Sequence, residues 1–484
     1  MATPYPLLRG FVQHLAPTWR KTQHENLARL IVSLLERPSL CLSEIARSMG
    51  PFDQSLHGRL KRLMRFLSNP HLDEAALFVR WLRLSLRFGE DLPVGRDGRP
   101  VLPVLMDTTY FEPFALLLAS VPCGSRGLPV ALTTYHRSRL KACFPPKDRW
   151  PRADEEIYPP RPRRGVKFSP ASSTPKRYLS QNQIESDFLD YVFGMISPAL
   201  RPVLVADRGF ARAELFRELQ ALGRDFVIRM DAETHIRIPE VLGEGLPTEG
   251  RPGEVLGLRE GDRVFCPLAW YGKEDQVPVS LLAMWGKGYK EPWYLVGSMD
   301  SQETEVLYRW RMRLEATNRD EKTGVLLREK GDHHDLSNSL HFHRLMLALA
   351  SAEWLCALTG LQAWNDLPKE AASCQTCLPH QFASPKPLPS WMSDLEPEEG
   401  PVSPPPVIPH RGKTPRLPSW IRPFAARGML SYVRLGLEIL RCPDPPPILH
   451  HMLRWLASYL WIWTPLWRPH QIRYRLAHWW NYDP

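Results

Sequence analysis

Arg201–Met230, RPVLVADRGFARAELFRELQALGRDFVIRM, is the stretch that decides the fold. Its opening apolar run ends on Asp207 and has the pattern of a buried strand. ARAELFRELQALG follows as a helix, and DFVIRM is again a strand. Strand, helix, strand in this order implies a parallel crossover and an α/β core.

A run of the same kind lies upstream, where VLPVLMDTTY from Val101 keeps its apolar part up to Asp107. FALLLASV and LPVALTTYH continue as two more apolar strands joined by the turn cluster Pro122–Gly127, so the core opens with three antiparallel strands. SQNQIESDFLDYVFGMIS is an amphipathic helix with Ile184, Phe188, Val192 and Met195 on one face and Ser180 near its cap. Asp107 and Asp207 are thus each expected at the C-terminal end of a buried strand, where an open α/β sheet places its ligand site. Burying a charge there is costly unless a cation or donors meet it.

Downstream, SQETEVLYRWRMRLEATNRDEKTG (residues 301–324) has no Pro or Gly before Gly324, and Asp300 with Glu303 resembles a capping box. One helix is expected from about Gln302 to Lys322. Tyr308, Arg311, Glu315 and Lys322 fall within about 60° of one another on it, beside an apolar stripe of Leu307, Trp310 and Leu314. A carboxylate among an Arg, a Lys and a Tyr suits a place where metal ions and phosphates meet; the alternative is a solvated face with ordinary charge pairs.

The spacing Tyr308-x2-Arg311-x3-Glu315-x6-Lys322, with Lys322-Thr323-Gly324 trailing, resembles the signature of the DDE transposases of bacterial insertion sequences, in particular the insertion-sequence-four group. The resemblance implies a ribonuclease-H-like catalytic core with a β-rich insertion, cutting DNA in line with two Mg²⁺ ions for which Mn²⁺ can substitute. Asp107, Asp207 and Glu315 would be the catalytic metal ligands, Asp107 bridging. Arg311 and Lys322 would grip phosphates, Tyr308 would donate to a phosphate, and Trp293 in PWYLVGS would stack on a flipped base; a buried strand Trp is the plainer alternative. The family has Trp where Met312 follows Arg311, and the Pro-rich tail beyond Gln362 has no counterpart in it.

The rest of the chain fills in around this core. Its 484 residues carry a formal net charge of +10, which favours a polyanionic partner such as double-stranded DNA. No apolar run spans a bilayer, the N-terminus lacks a signal-peptide core, and eight scattered cysteines read as reduced thiols, which together suggest a cytoplasmic protein, nucleoid-associated when on DNA. Residues 1–95 form an expected helical DNA-binding domain with helices over residues 22–37, one capped by Ser43, one over 53–67 and one over 73–87. The third resembles the second helix of a helix-turn-helix and offers Arg59, Lys61, Arg62 and Arg65 to DNA. A helical bundle with a solvated basic surface is the alternative.

The expected catalytic core comprises 101–230 and 300–360, with 231–299 inserted as a β-rich subdomain between the second and third carboxylates. Residues 136–178, with RPRRG, read as an exposed basic loop along a phosphate backbone or equally as a plain disordered insertion, 362–418 as a Pro-rich linker and 419–484 as a helical region. Cys374, Cys377 and His380 lack a fourth ligand and read as a free-thiol loop; His333, His334, His341 and His343 read as solvated or capping histidines. Three functions fit these residues: a cut-and-paste transposase that holds two DNA ends as a homodimer, a stand-alone metal-dependent nuclease, and an inactive transposase-derived DNA-binding protein.

Overall fold

In the computed structural model, residues 5–36, 39–50, 54–88, 92–123, 126–137, 141–142, 180–239, 246–274, 276–322, 338–365 and 436 are described. Most of the basic loop, the Pro-rich linker, the C-terminal helical region, His333, His334, the Cys374–His380 group and Thr323–Gly324 lie outside them. So do the side chains of Glu315 and Lys322, whose backbones are helical.

In chain order the elements are α1 (Tyr5–Leu15), α2 (Lys21–Glu36), α3 (Leu42–Ser48), α4 (Leu56–Leu67), α5 (Glu74–Phe88), β1 (Val101–Phe111), β2 (Phe114–Cys123), β3 (Arg126–His136), β4 (Lys141–Ala142), α6 (Gln181–Gly194), β5 (Arg201–Ala206), α7 (Ala213–Ala221), β6 (Asp225–Arg229), β7 (Ile236–Arg237), β8 (Glu249–Gly250), α8 (Pro252–Leu256), β9 (Arg263–Tyr271), β10 (Val277–Met284), β11 (Trp293–Gly297), α9 (Ser301–Lys322) and α10 (Ser339–Asn365). The strands form one sheet in the order β4-β3-β2-β1-β5-β6-β11-β10-β9-β7-β8. Its centre is parallel, β1 on β5 and β5 on β6, and its flanks are antiparallel.

The α/β crossover expected from Arg201–Met230 is present as β5–α7–β6. The strands between residues 231 and 299 do not form a sheet of their own: β11 pairs with β6, so β7–β11 extend the central sheet. β1 also runs further than its apolar stretch. Thr108, Thr109, Tyr110 and Phe111 stay paired with Leu117, Leu116, Ala115 and Phe114 of β2, because β-branched and aromatic residues fit a pleated, half-buried surface. Asp107 therefore sits within a strand, at the end of the portion that pairs with β5.

Among the described residues, buried apolar side chains from Leu8 to Leu358, those of the N-terminal helices included, form one contiguous core. α10 packs against α2 and α4, and α5 packs against β2 and β3. Phe342 stacks on Phe114 with ring centroids 4.7 Å apart, and the fully buried Trp354 donates its indole N–H to the carbonyl of Pro129 over 2.7 Å. His341 and His343, expected to be solvated or capping, are buried instead. His341 Nε2 lies 2.7 Å from Ser68 Oγ, and His343 Nε2 lies 2.8 Å from Glu74 Oε2, while Arg344 Nη1 reaches Glu74 Oε1 at 2.6 Å. α3 starts two residues earlier than a Ser43 cap requires, with Cys41 in the cap position, and α4 is capped by Ser55, whose Oγ accepts from Gly58 N.

Candidate active site

Strand register brings Asp107 and Asp207 together. β1 and β5 pair in parallel from Val101 opposite Arg201 to Met106 opposite Ala206, so the aspartates are the next residues on adjacent strands. Such strands run about 4.8 Å apart, and residues in register point to the same face. Asp207 keeps an extended backbone, φ −88° and ψ −176°, so the alternation carries through it. Asp107 lies on the face of Leu105, two residues before it on the strand, and Asp207 on the face of Val205.

α9 covers that face. A Cβ added to Gly127 of β3 would lie 3.3 Å from Leu105 Cδ1 and 3.4 Å from the Cα of Leu314, so the helix backbone passes directly over this part of the sheet. Asp300 Oδ1 accepts from Gln302 N and Glu303 N and starts the helix; the Glu303 side chain, expected to complete a capping box, lies instead 3.8 Å from Arg201. The buried side of α9 is Thr304, Leu307, Tyr308, Arg311 and Leu314, so the stripe holding Tyr308 and Arg311 faces inward together with the apolar one. Arg311 is 7% exposed and brings Nη2 to 3.4 Å from Asp207 Oδ2.

The other oxygen of Asp207 is also engaged, Oδ1 accepting from Gly209 N at 2.9 Å. Two adjacent carboxylates repel, and a cation held between them would relieve that repulsion. Both are hard oxygen donors, the type Mg²⁺ takes. Among the described residues no group of three His, Cys, Asp or Glu side chains gathers as a metal site. The third ligand expected from sequence, Glu315, follows Leu314 on α9, one turn beyond Arg311, where the side chains pass outside the described residues.

The expected DNA contacts separate into two places. Near the site, Trp293 at the start of β11 is half-buried, its ring centroid 5.2 Å from that of Tyr308 at 74° and 5.3 Å from that of Tyr289. Tyr308 is buried at 2% exposure and packs edge-on against Trp293. On α4, Lys61 and Arg65 are exposed, whereas Arg59 donates to the carbonyl of Arg47 and Arg62 to Asn26 Oδ1. Arg62 thereby ties α4 to α2, and the outward face of α4 carries His57, Lys61 and Arg65.

Sequence reasoning missed the residues that hold the Asp207 turn. Glu185 of α6 is 2% exposed, takes Gln181 Nε2 at 2.8 Å on Oε1 and Arg212 Nη1 at 2.6 Å on Oε2. Burial raises its carboxyl above the ordinary carboxylate range, Arg212 and Gln181 act against that shift, and the charge of Asp207 adds to it. The signal was present: Glu185 adjoins Ile184 on the inward side of an amphipathic helix, a poor place for an unpaired charge.

Residues 164–352 match a family model described as the transposase DDE domain. No curated protein matches the chain. The matched span takes in Asp207, Trp293, Tyr308, Arg311, Glu315 and Lys322 and leaves out Asp107 and the N-terminal helices. A mixed α/β fold around one large mixed sheet is consistent with a ribonuclease-H-like transposase core. No helix among the described residues is long and apolar enough to cross a membrane. Over residues 164–352 the chain is similar to the transposase DDE domain, and that match supports a transposase.

Proposed function

We propose that the protein is a cut-and-paste transposase of an insertion sequence, of the insertion-sequence-four type, that cleaves and rejoins DNA at its element's terminal inverted repeats. The observation that carries this reading is the register of β1 on β5, which sets Asp107 beside Asp207 beneath α9. Asp107, Asp207 and Glu315 would hold two Mg²⁺ ions, with Mn²⁺ as a substitute. Bound there, the ions supply an activated oxygen nucleophile and stabilise the leaving 3′ oxygen.

The protein's own side chains bind and orient the DNA. Arg311, already at the carboxylates, and Lys322 hold phosphates near the scissile position. Trp293 offers an indole face to an extruded base, and Tyr308 props that ring from its edge. Lys61 and Arg65 lead the contact of α4 with duplex DNA, and Arg59 and Arg62 keep that helix on the N-terminal bundle while adding to its positive field. A homodimer in the cytoplasm, on the nucleoid when bound, holds two ends together.

A plasmid assay with the element's own ends and Mg²⁺ tests the proposal. Strand-transfer products are expected. Cleavage without joining would make the protein a nuclease, and end binding without cleavage would make it an inactive DNA-binding protein.

A further inference from the structure

The backbone that carries Asp207 is held by groups outside the carboxylate set. After β5 the chain turns through Arg208–Phe210, with Asp207 as its cap, and enters α7 at Arg212, the residue in the N-cap position. This turn is fastened on two sides. Tyr271 of β9 donates its hydroxyl to the carbonyl of Ala211 at 2.8 Å. Arg212 crosses to α6, where Nη1 meets Glu185 Oε2 at 2.6 Å and Nη2 reaches the carbonyl of Asn182 at 3.4 Å.

The pair is buried, with side-chain exposures of 12% for Arg212 and 2% for Glu185. Both carboxylate oxygens are occupied, since Gln181 fills the second. Further along, Ser186 of α6 meets Glu218 of α7 at 2.7 Å, and Asp190 of α6 meets Arg224, in the loop after α7, at 2.5 Å. Those two contacts secure α6 to α7 and to the segment that follows it. Of the three, the Glu185–Arg212 pair is the one that acts at the end of α7 adjoining Asp207.

We propose that Glu185 and Arg212 are positioning residues for Asp207, their buried ion pair fixing the turn so that the Asp207 carboxylate is presented beside Asp107 for a divalent cation. The inference rests on the reading of Asp107 and Asp207 as metal ligands. A buried, hydrogen-bonded pair is suited to this role because its geometry is narrow: Gln in place of Glu185 leaves the Arg212 charge buried without its partner, and Lys in place of Arg212 keeps the charge but loses the fork that reaches both Glu185 and the Asn182 carbonyl. Groups that orient metal ligands from behind typically change metal affinity about 10- to 100-fold when altered.

Mn²⁺ binding to the full-length chain, followed by electron paramagnetic resonance titration, separates the possibilities without depending on DNA cleavage. Wild type, Asp207→Asn, Glu185→Gln, Arg212→Lys and the exchanged pair Glu185→Arg/Arg212→Glu are compared, with the melting temperature of each. Asp207→Asn should lose the tight site. Glu185→Gln and Arg212→Lys should weaken it about tenfold or more while each protein still melts cooperatively. The exchanged pair should recover part of the affinity. Asp207-dependent Mn²⁺ binding that Glu185→Gln and Arg212→Lys leave unchanged would overturn the positioning role alone. Identical Mn²⁺ binding by wild type and Asp207→Asn would overturn the metal-ligand reading, and the positioning role with it. Should Glu185→Gln fail to fold, Arg212→Lys keeps the test open, since it retains both charges.

Discussion

Arg311 shows how one residue joins the helix to the sheet. It reaches Asp207 from α9 while itself almost fully buried, although the carboxylate it meets is partly exposed and the pair is therefore partly screened by solvent. Arg311→Lys should preserve the charge and lose the forked geometry, lowering cleavage of an end-bearing DNA about 10- to 100-fold with end binding by gel shift little changed. Equal cleavage by the two proteins would remove Arg311 from the site. The sequence singles out Arg311, Asp107 and Asp207 because each is a polar group set against an apolar pattern or on a helical stripe. It did not make legible which charge meets which. Arg311 faces a carboxylate rather than solvent because α9 buries two adjacent stripes, and helical periodicity alone cannot tell a stripe that faces a site from one that faces a sheet.

At the level of elements, the close passage of α9 over β3 depends on Gly127. A Cβ there would come to 3.4 Å from the Leu314 backbone and 3.3 Å from Leu105 Cδ1, so a branched side chain cannot be accommodated without moving the helix that carries Glu315. Gly127→Val should destabilise the protein by about 1–3 kcal/mol in urea unfolding and slow cleavage by more than the loss of folded protein explains. Unaltered stability and cleavage would mean that α9 does not need this approach. The strands and helices of the core were readable from apolar runs and turn residues. Two features were not: the continuation of β1 past Asp107, which requires the pairing of its Thr, Tyr and Phe with β2, and the joining of β7–β11 to the central sheet, which is set by the long-range contact of β11 with β6.

For the whole molecule, one contact joining the N-terminal helices to the rest of the fold is that of Glu74 on α5 with His343 and Arg344 on α10. Burial acts to raise the Glu74 carboxyl, but Arg344 and His343 outweigh it and bring the pKa down to about 2 from an unfolded value of 4.5. A depressed carboxylate stabilises the fold above its unfolded pKa and loses that contribution as pH falls toward its folded one. About 3 kcal/mol should therefore disappear between pH 4.5 and 2, because each tenfold difference in proton affinity between the folded and unfolded chain is worth about 1.4 kcal/mol. Unfolding free energies of wild type and Glu74→Gln measured across that range should converge as the pH drops; parallel curves would show that the pair does not hold the helices. Charged and His side chains at positions 341, 343 and 344 look like surface residues in the sequence, which is why the docking could not be read there. Their partners lie about 270 residues away, and only the fold brings them together.

The proposed function stands on Asp107 and Asp207 together binding the cation on which DNA cleavage depends. The direct measurement is single-turnover cleavage of an end-bearing DNA by wild type and by Asp107→Cys, in Mg²⁺ and then in Mn²⁺. A thiolate is a poor ligand for Mg²⁺ and a better one for the softer Mn²⁺. The variant should be slower than wild type by about 10³-fold or more in Mg²⁺ and should regain much of that loss in Mn²⁺. Cleavage by Asp107→Cys in Mg²⁺ at the wild-type rate would take Asp107 out of the cation site and the two-carboxylate reading with it.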